Sequence, residues 1–206
     1  MNLLIEYQYF PSVILFNTSF NFSNIVFEQY EFYQKMGFRN RCRIAGANGV
    51  IDLSIPLENG RDQKAFIRDV KIAGSHRWQA AHWKSILSCY NRSPWFEFYR
   101  DSLEKLYRRP FVFLVDWDLE CFEWALESME IKPGISFTET FRPVYEEIAW
   151  KDWRNKIRPG NLEELPAVKY RQVFEDRLGF LPNLSILDLL FCEGKRARQL
   201  LQDPVK

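Results

Sequence analysis

Residues 3–29, LLIEYQYFPSVILFNTSFNFSNIVFEQ, read as strand, helix, strand. Leu3 to Tyr7 is a short apolar run that leads into Tyr-Phe-Pro. Ser12 to Phe20 carries apolar residues at helical spacing, with Pro11 near the first turn, and Ile25 to Gln29 returns as a second strand. Two strands joined through a helix are not a tight hairpin, so this opening predicts a right-handed crossover onto a parallel pair. An α/β fold follows from that reading.

The next stretch, residues 39–58, RNRCRIAGANGVIDLSIPLE, adds an antiparallel element. Asn48-Gly49 is a strong signal for a two-residue turn, because a type I′ turn needs positive φ at both positions. With those two residues at the tip, Arg43 faces Ser54 and Arg39 faces Glu58. Ile51, Leu53, Ile55 and Leu57 then share a face with Cys42 and Ile44. Arg39, Arg41 and Arg43 share the other face with Asp52, Ser54 and Glu58. Arg39 has a carboxylate opposite and Arg43 a diagonal one in Asp52, which leaves Arg41 without an opposed acid.

Beyond a polar loop, Asn59 to Gln63, Asp69 to Ile72 reads as a further strand. Ser75 is placed to cap a helix through HRWQAAHWKSILSCY, with Trp78, His82, Ile86 and Cys89 on one face. Pro94 starts a second helix to about Tyr107, Val112 to Met129 forms a third, and Pro133-Gly134 ends that section. Residues 134–170, with several prolines, read as an irregular, mobile excursion. Asn183 is placed to cap LSILDLLFCEG, which Gly194 closes, and a basic helix runs to about Leu201. The expectation is a single domain, 1–206. It is an α/β fold with a mixed sheet containing an antiparallel hairpin, helices packed on it and a largely helical C-terminal half.

Composition narrows the function classes. The 206 residues hold 28 Lys plus Arg against 27 Asp plus Glu, so nothing recommends a nucleic-acid or anionic-membrane partner. Hydrophobic residues make up 47% and aromatic residues 17%, which describes a well-buried globular chain. Cys42, Cys89, Cys121 and Cys192 form no C-x-x-C pair, so they read as reduced thiols and not as a zinc site or a redox dithiol. Glu6 interrupts the first apolar run, which lacks a basic region before it, and no stretch approaches the ~20 apolar residues of a membrane span. The expected compartment is the cytoplasm. No metal-binding or phosphate-loop motif is present, and the sequence leaves any donor cofactor open.

Three constellations could carry chemistry. The arginine ladder, with Arg77 and Lys84 as helpers, either recognises a phosphate or carboxylate through the guanidinium fork or forms an ordinary cross-strand ion-pair face. His82 is either a general base at neutral pH or a packed histidine between Trp78 and Ile86. Ser185 and Asp188 lie three apart on a helix in leucine-rich surroundings, where an acid is paired, functional or exposed on the polar face. Trp78, Trp83, Trp95 and Tyr99 could stack on a sugar ring, although aromatics at helical spacing are more often core.

Taken together, the segments YFPSV, FRNRCRIAGANG with LSIPLE, RDVKIAGSHRWQAAHWKSI, YNRSPWFEFY, FVFLVDWDLE and FLPNLSILDLLFCEG resemble the WbqC-like proteins of bacteria. The resemblance implies a cytoplasmic role in O-antigen or other surface-polysaccharide biosynthesis. A group-transfer enzyme recognising an activated sugar or phosphorylated glycan intermediate fits that role. The alternative is a non-catalytic binding or scaffold subunit. Carried over residue by residue, it implies Tyr9, Arg39, Asn40, Arg41, Arg43, Asn183 and Ser185 as substrate-binding candidates, and His82 and Asp188 as acid–base candidates. One departure stands out. Where the family commonly has His-Gln-Pro before Asn-Tyr-Phe-Pro, this chain has Ile5, Glu6 and Tyr7, followed by Gln8.

Overall fold

The computed structural model describes residues 1–74, 77–146, 148–203 and 205; Ser75, read above as a helix cap, lies outside them. The elements run β1 (Asn2–Ile5), α1 (Val13–Ser19), β2 (Asn24–Phe27), β3 (Arg41–Gly46), β4 (Gly49–Ser54), α2 (Trp78–Tyr90), α3 (Phe96–Arg108) and α4 (Leu114–Ser128). Then follow β5 (Gly134–Phe137), β6 (Trp150–Asp152), α5 (Glu175–Leu178), α6 (Ile186–Glu193) and α7 (Arg196–Gln202).

The fold is mixed α/β. β1 and β2 pair in parallel, Leu3 opposite Ile25 and Ile5 opposite Phe27, as the opening stretch predicts. β6 joins the other side of β1 and β5 the far side of β2, so the parallel sheet has the order β5-β2-β1-β6. The central strands are buried and therefore read as unbroken apolar runs, without alternation. α1 is the crossover between them, and its Val13 to Phe16 are all buried. Phe122 of α4 stacks on Phe16 at 5.0 Å and meets Phe27 edge-on at 5.2 Å, so α1, α4 and β2 converge on one ring. Cys42 of β3 and Cys121 of α4 are buried, whereas Cys89 and Cys192 are half-buried.

The stretch 134–170, expected to be irregular, supplies both edge strands. GISF and WKD are too short to show a period, and each is recognisable only by its pairing with a central strand. Asp69 to Ile72 is not a strand: Ile67–Asp69 form a 3-10 turn, and Lys71 and Ile72 make isolated bridges to Phe113 and Leu57. On α2 the buried stripe is Trp78, His82, Ile86 and Tyr90, with Tyr90 in place of Cys89.

The hairpin forms as a separate two-stranded sheet with a shifted register. Gly46 pairs with Gly49, so Ala47-Asn48 is the tip, and Arg43 faces Asp52 while Arg41 faces Ser54. Within the turn only Gly49 takes positive φ, at +127°, so the glycine serves the position just after the tip. The shift is two residues, which leaves each side chain on its expected face. Arg39 and Glu58 fall outside the paired strands, and the expected Arg39–Glu58 pair does not form.

Candidate functional site

Two segments that carry the family resemblance clasp each other. Ser185 Oγ donates to the Phe10 carbonyl at 3.0 Å, Ile186 N–H donates to the Pro11 carbonyl at 2.8 Å and Val13 N–H to the Leu184 carbonyl at 2.9 Å. Ser185, and not Asn183, caps α6, its Oγ accepting from Leu187 N–H. Asn183 sits at φ +53°, where its side-chain amide donates to the carbonyls of Leu162 and Pro166 and ties down the preceding loop.

From the same motif Tyr9 reaches inward. Its hydroxyl meets His82 Nδ1 at 3.0 Å and Tyr107 Oη at 2.5 Å, a buried chain of three polar groups in an aromatic surround completed by Trp78 and Trp117. Burial lowers the His82 pKa to about 4, against a hydrogen bond to the backbone of Ser54 that favours the charged form. His82 is therefore neutral at pH 7. Ser54 lies on β4, so the His82 ring borders the hairpin there.

The arginine ladder divides into unlike members. Arg39 is buried and chelates Glu31 through Nε at 3.0 Å and Nη2 at 2.5 Å, and it also donates to Asn155 Oδ1 at 2.9 Å. Arg41 and Arg43 share Asp52 at the surface, at 3.5 and 3.0 Å. Asn40 locks strand ends, donating to the Ile55 carbonyl at 2.9 Å and accepting from Tyr33.

Asp188 is the hub of a second buried cluster. Its two oxygens accept from the hydroxyls of Tyr90 at 2.7 Å and Tyr170 at 2.8 Å, and Tyr90 Oη in turn accepts from Ala45 N–H at 2.9 Å. Burial raises the Asp188 pKa to about 6, and the tyrosine and Gln172 donors hold it down from a higher value. Tyr90 and His82 are two turns apart on α2, about 12 Å along its axis. The two acid–base candidates thus sit in different clusters.

A third constellation was not singled out from the sequence. It lies where the parallel strands end, the place where open α/β sheets hold ligands. Glu6 follows β1, Glu28 follows β2, Thr138 follows β5, and Asp152 and Arg154 close β6. Glu28 accepts from Thr138 Oγ1 at 2.8 Å and pairs with Arg154 at 2.9 Å. Glu6 accepts from Gln8 Nε2 at 2.7 Å and Asn155 N–H at 2.8 Å. Burial raises the Glu31 pKa while Arg39 pulls it back. A signal was present: in LLIEYQ and NIVFEQYE an acid breaks each apolar run at its end, and such an acid sits where the strand stops. Ile5, at the departure from the family's His-Gln-Pro, is the last residue of β1 and faces the core.

Arg154 joins this network to the surface. It donates to Asp152 and to the carbonyls of Arg142 and Pro143, and it lies over the rings of Phe141 and Tyr145 at 5.3 and 5.2 Å, which clamps the strap 141–146. Between strap and β6 lies a groove of about 810 Å³, walled by Tyr145, Trp150 and Trp153 and edged by Lys151, Lys156 and Arg154. Of the residues anticipated as substrate-binding or acid–base groups, none lines it.

No curated protein and no solved structure matches the chain. No helix among the described residues is long and apolar enough to cross a membrane. The family comparison covers the strand-end network from Tyr7 onward and stops at Asp152, before PNLSILDLLFCEG. Residues 7–152 match the model of the WbqC-like protein family, and the chain belongs to that family.

Proposed function

We propose that this chain works in the cytoplasm in bacterial surface-polysaccharide (O-antigen) biosynthesis, recognising an activated, phosphate-bearing sugar for group transfer. The observation that supports it is the groove beside β6: Tyr145, Trp150 and Trp153 offer flat faces for a sugar or base, and Lys151 and Lys156 offer cations for a phosphate, while Arg154 at its edge is already held by Glu28 and Asp152. The groove runs along the edge strand β6, from Met1 and Trp150 at its start to Arg154 at its end, where it borders the strand-end network. In this reading Tyr9, Asn183 and Ser185 position the strand ends, and Arg39 orders the acids behind the groove. Arg41 and Arg43 hold the hairpin through Asp52. His82 and Asp188 keep buried polar clusters.

The rival reading, a binding or scaffold subunit, is favoured by one fact: His82 and Asp188 are buried against tyrosines and away from the groove. Calorimetric titration with nucleotide sugars tests what both readings share. Replacing Lys151 and Lys156 by Ala is expected to weaken binding about tenfold or more, roughly 1.4 kcal/mol, with an unchanged melting temperature. Unaltered affinity in that double variant would remove the groove from consideration. A parent chain that binds the sugar yet transfers no acyl, aminoacyl or phosphoryl group from any donor supplied would be a scaffold.

A further inference from the structure

The parallel sheet has an unpaired edge, and the groove lies along it. β6 is the last strand in the order β5-β2-β1-β6, and Trp150, Lys151 and Asp152 all line the groove. Asn2 N–H donates to the Ala149 carbonyl at 2.9 Å and Trp153 N–H donates to the Leu4 carbonyl at 2.8 Å, so Ala149, Lys151 and Trp153 turn their backbone toward β1. Trp150 and Asp152 turn theirs the other way. Trp150 N–H marks that direction by donating to the Glu146 carbonyl of the strap at 3.1 Å. The Trp150 carbonyl and both backbone groups of Asp152 have no partner among the described residues.

This stretch of edge is closed at both ends. At one end the Glu146–Trp150 hydrogen bond joins strap to strand, and at the other Arg154 crosses from β6 to the carbonyls of Arg142 and Pro143, at 3.0 and 3.4 Å. Residues 150–154 span about 13 Å of extended chain, which is too short to pair with several residues of a partner strand. The Asp152 carboxylate is taken by the backbone N–H and guanidinium of Arg154, so the edge offers a ligand its backbone alone. Such an edge pairs with a residue that presents an N–H and a C=O on either side of a single carbon. A lone trans amide points its N–H and C=O in opposite directions and meets one edge group only.

We propose that the edge of β6 recognises an aminoacyl residue carried by the activated sugar, whose N–H donates to the Trp150 carbonyl and whose C=O accepts from Asp152 N–H, as one added residue of the sheet. This rests on the groove reading above and narrows its substrate class to a phosphate-bearing sugar N-substituted with an amino acid. Trp150 and Trp153 are left for the sugar, and Lys151 and Lys156 for the phosphate. The two closed ends favour this single residue over the extended peptide that an open edge would take.

Calorimetry on the full chain at pH 7 tests the proposal with three glucosamine 1-phosphates whose amine carries an N-acetylglycyl, an acetoxyacetyl or an acetyl group. The second probe replaces the glycyl N–H by an ester oxygen, the third lacks the residue, and all three carry the same charge. The N-acetylglycyl probe is expected to bind at least tenfold more tightly than either of the others, and to slow hydrogen exchange of the Asp152 amide at least tenfold, read by NMR. Equal affinities for the three, or an unchanged Asp152 exchange rate in the bound state, would overturn the inference and leave the groove reading standing. N-acetylglycinamide binding as tightly as the sugar conjugate would overturn it in favour of a partner peptide. Affinity for none of the three sugars would overturn both readings.

Discussion

His82 and Asp188 are both buried ionisable groups, yet they pull stability in opposite directions with pH. Burial lowers His82 to about 4, so the unfolded chain takes up a proton near 6.5 that the folded chain refuses. Its contribution is complete above about pH 6.5 and is lost as pH falls toward 4. Burial raises Asp188 to about 6, so the folded chain keeps a proton that the unfolded chain releases near 3.8. Its contribution is complete below about pH 3.8 and is lost as pH rises through 6. Urea unfolding at pH 7, 5.5 and 4 should separate them. The deficit of His82→Gln relative to the parent should shrink on acidification and that of Asp188→Asn should grow, each by up to about 3 kcal/mol. Parallel trends in the two variants would refute the assignment. The same scale shows how far single residues were legible. Arg39, Arg41 and Arg43 look alike in the sequence, but one is buried on Glu31 and two share a surface acid. Spacing tells which face a side chain takes and does not tell how deep that face lies.

Elements were legible where burial is two-sided or helical. β1, α1, β2 and the helices α2, α3, α4, α6 and α7 all follow from apolar runs and periods, with ends displaced by a residue or two. β5 and β6 were not legible, because an edge strand of three or four residues has one neighbour and no period of its own. The hairpin register was read two residues off, since a glycine can serve at the turn tip or just after it, and only the backbone decides. The end of α6 is more tightly specified. Gly194 takes φ +56°, and a Cβ there would lie 2.2 Å from the indole of Trp95, whose backbone N–H is bonded to the Phe191 carbonyl at 2.9 Å. Gly194→Ala therefore combines backbone strain with a ring clash and is expected to cost about 1–3 kcal/mol. Adding Trp95→Ala should recover only the steric part. Thermal melts of the single and double variants check this, and an unchanged melt for Gly194→Ala would refute it.

At the scale of the whole molecule, the sheet draws β1 and β2 from the start of the chain and β5 and β6 from beyond residue 133, so the strand-end network closes only when distant segments meet. That is why the sequence suggested separate arginine, histidine and aspartate motifs while the strand-end acids went unseen: Glu28 meets Arg154 and Glu6 meets Asn155 more than a hundred residues along the chain. The same long closure bears on the thiols. Cys89 and Cys192 lie half-buried on helices near the surface, whereas Cys42 and Cys121 are shut between the hairpin and α4, with burial holding both thiols well above their usual pKa. Burial raises the pKa of all four thiols, so access and not acidity divides them, and an alkylating reagent should consume the four in two phases, two thiols with denaturant-insensitive kinetics and two whose rate rises with urea in step with global unfolding. Mass spectrometry of the alkylated chain would show it, and four equal rates would refute it. The chain thus carries its own clock: two fast hands for breathing of the helical surface, and two slow ones that move only when the hairpin lifts away.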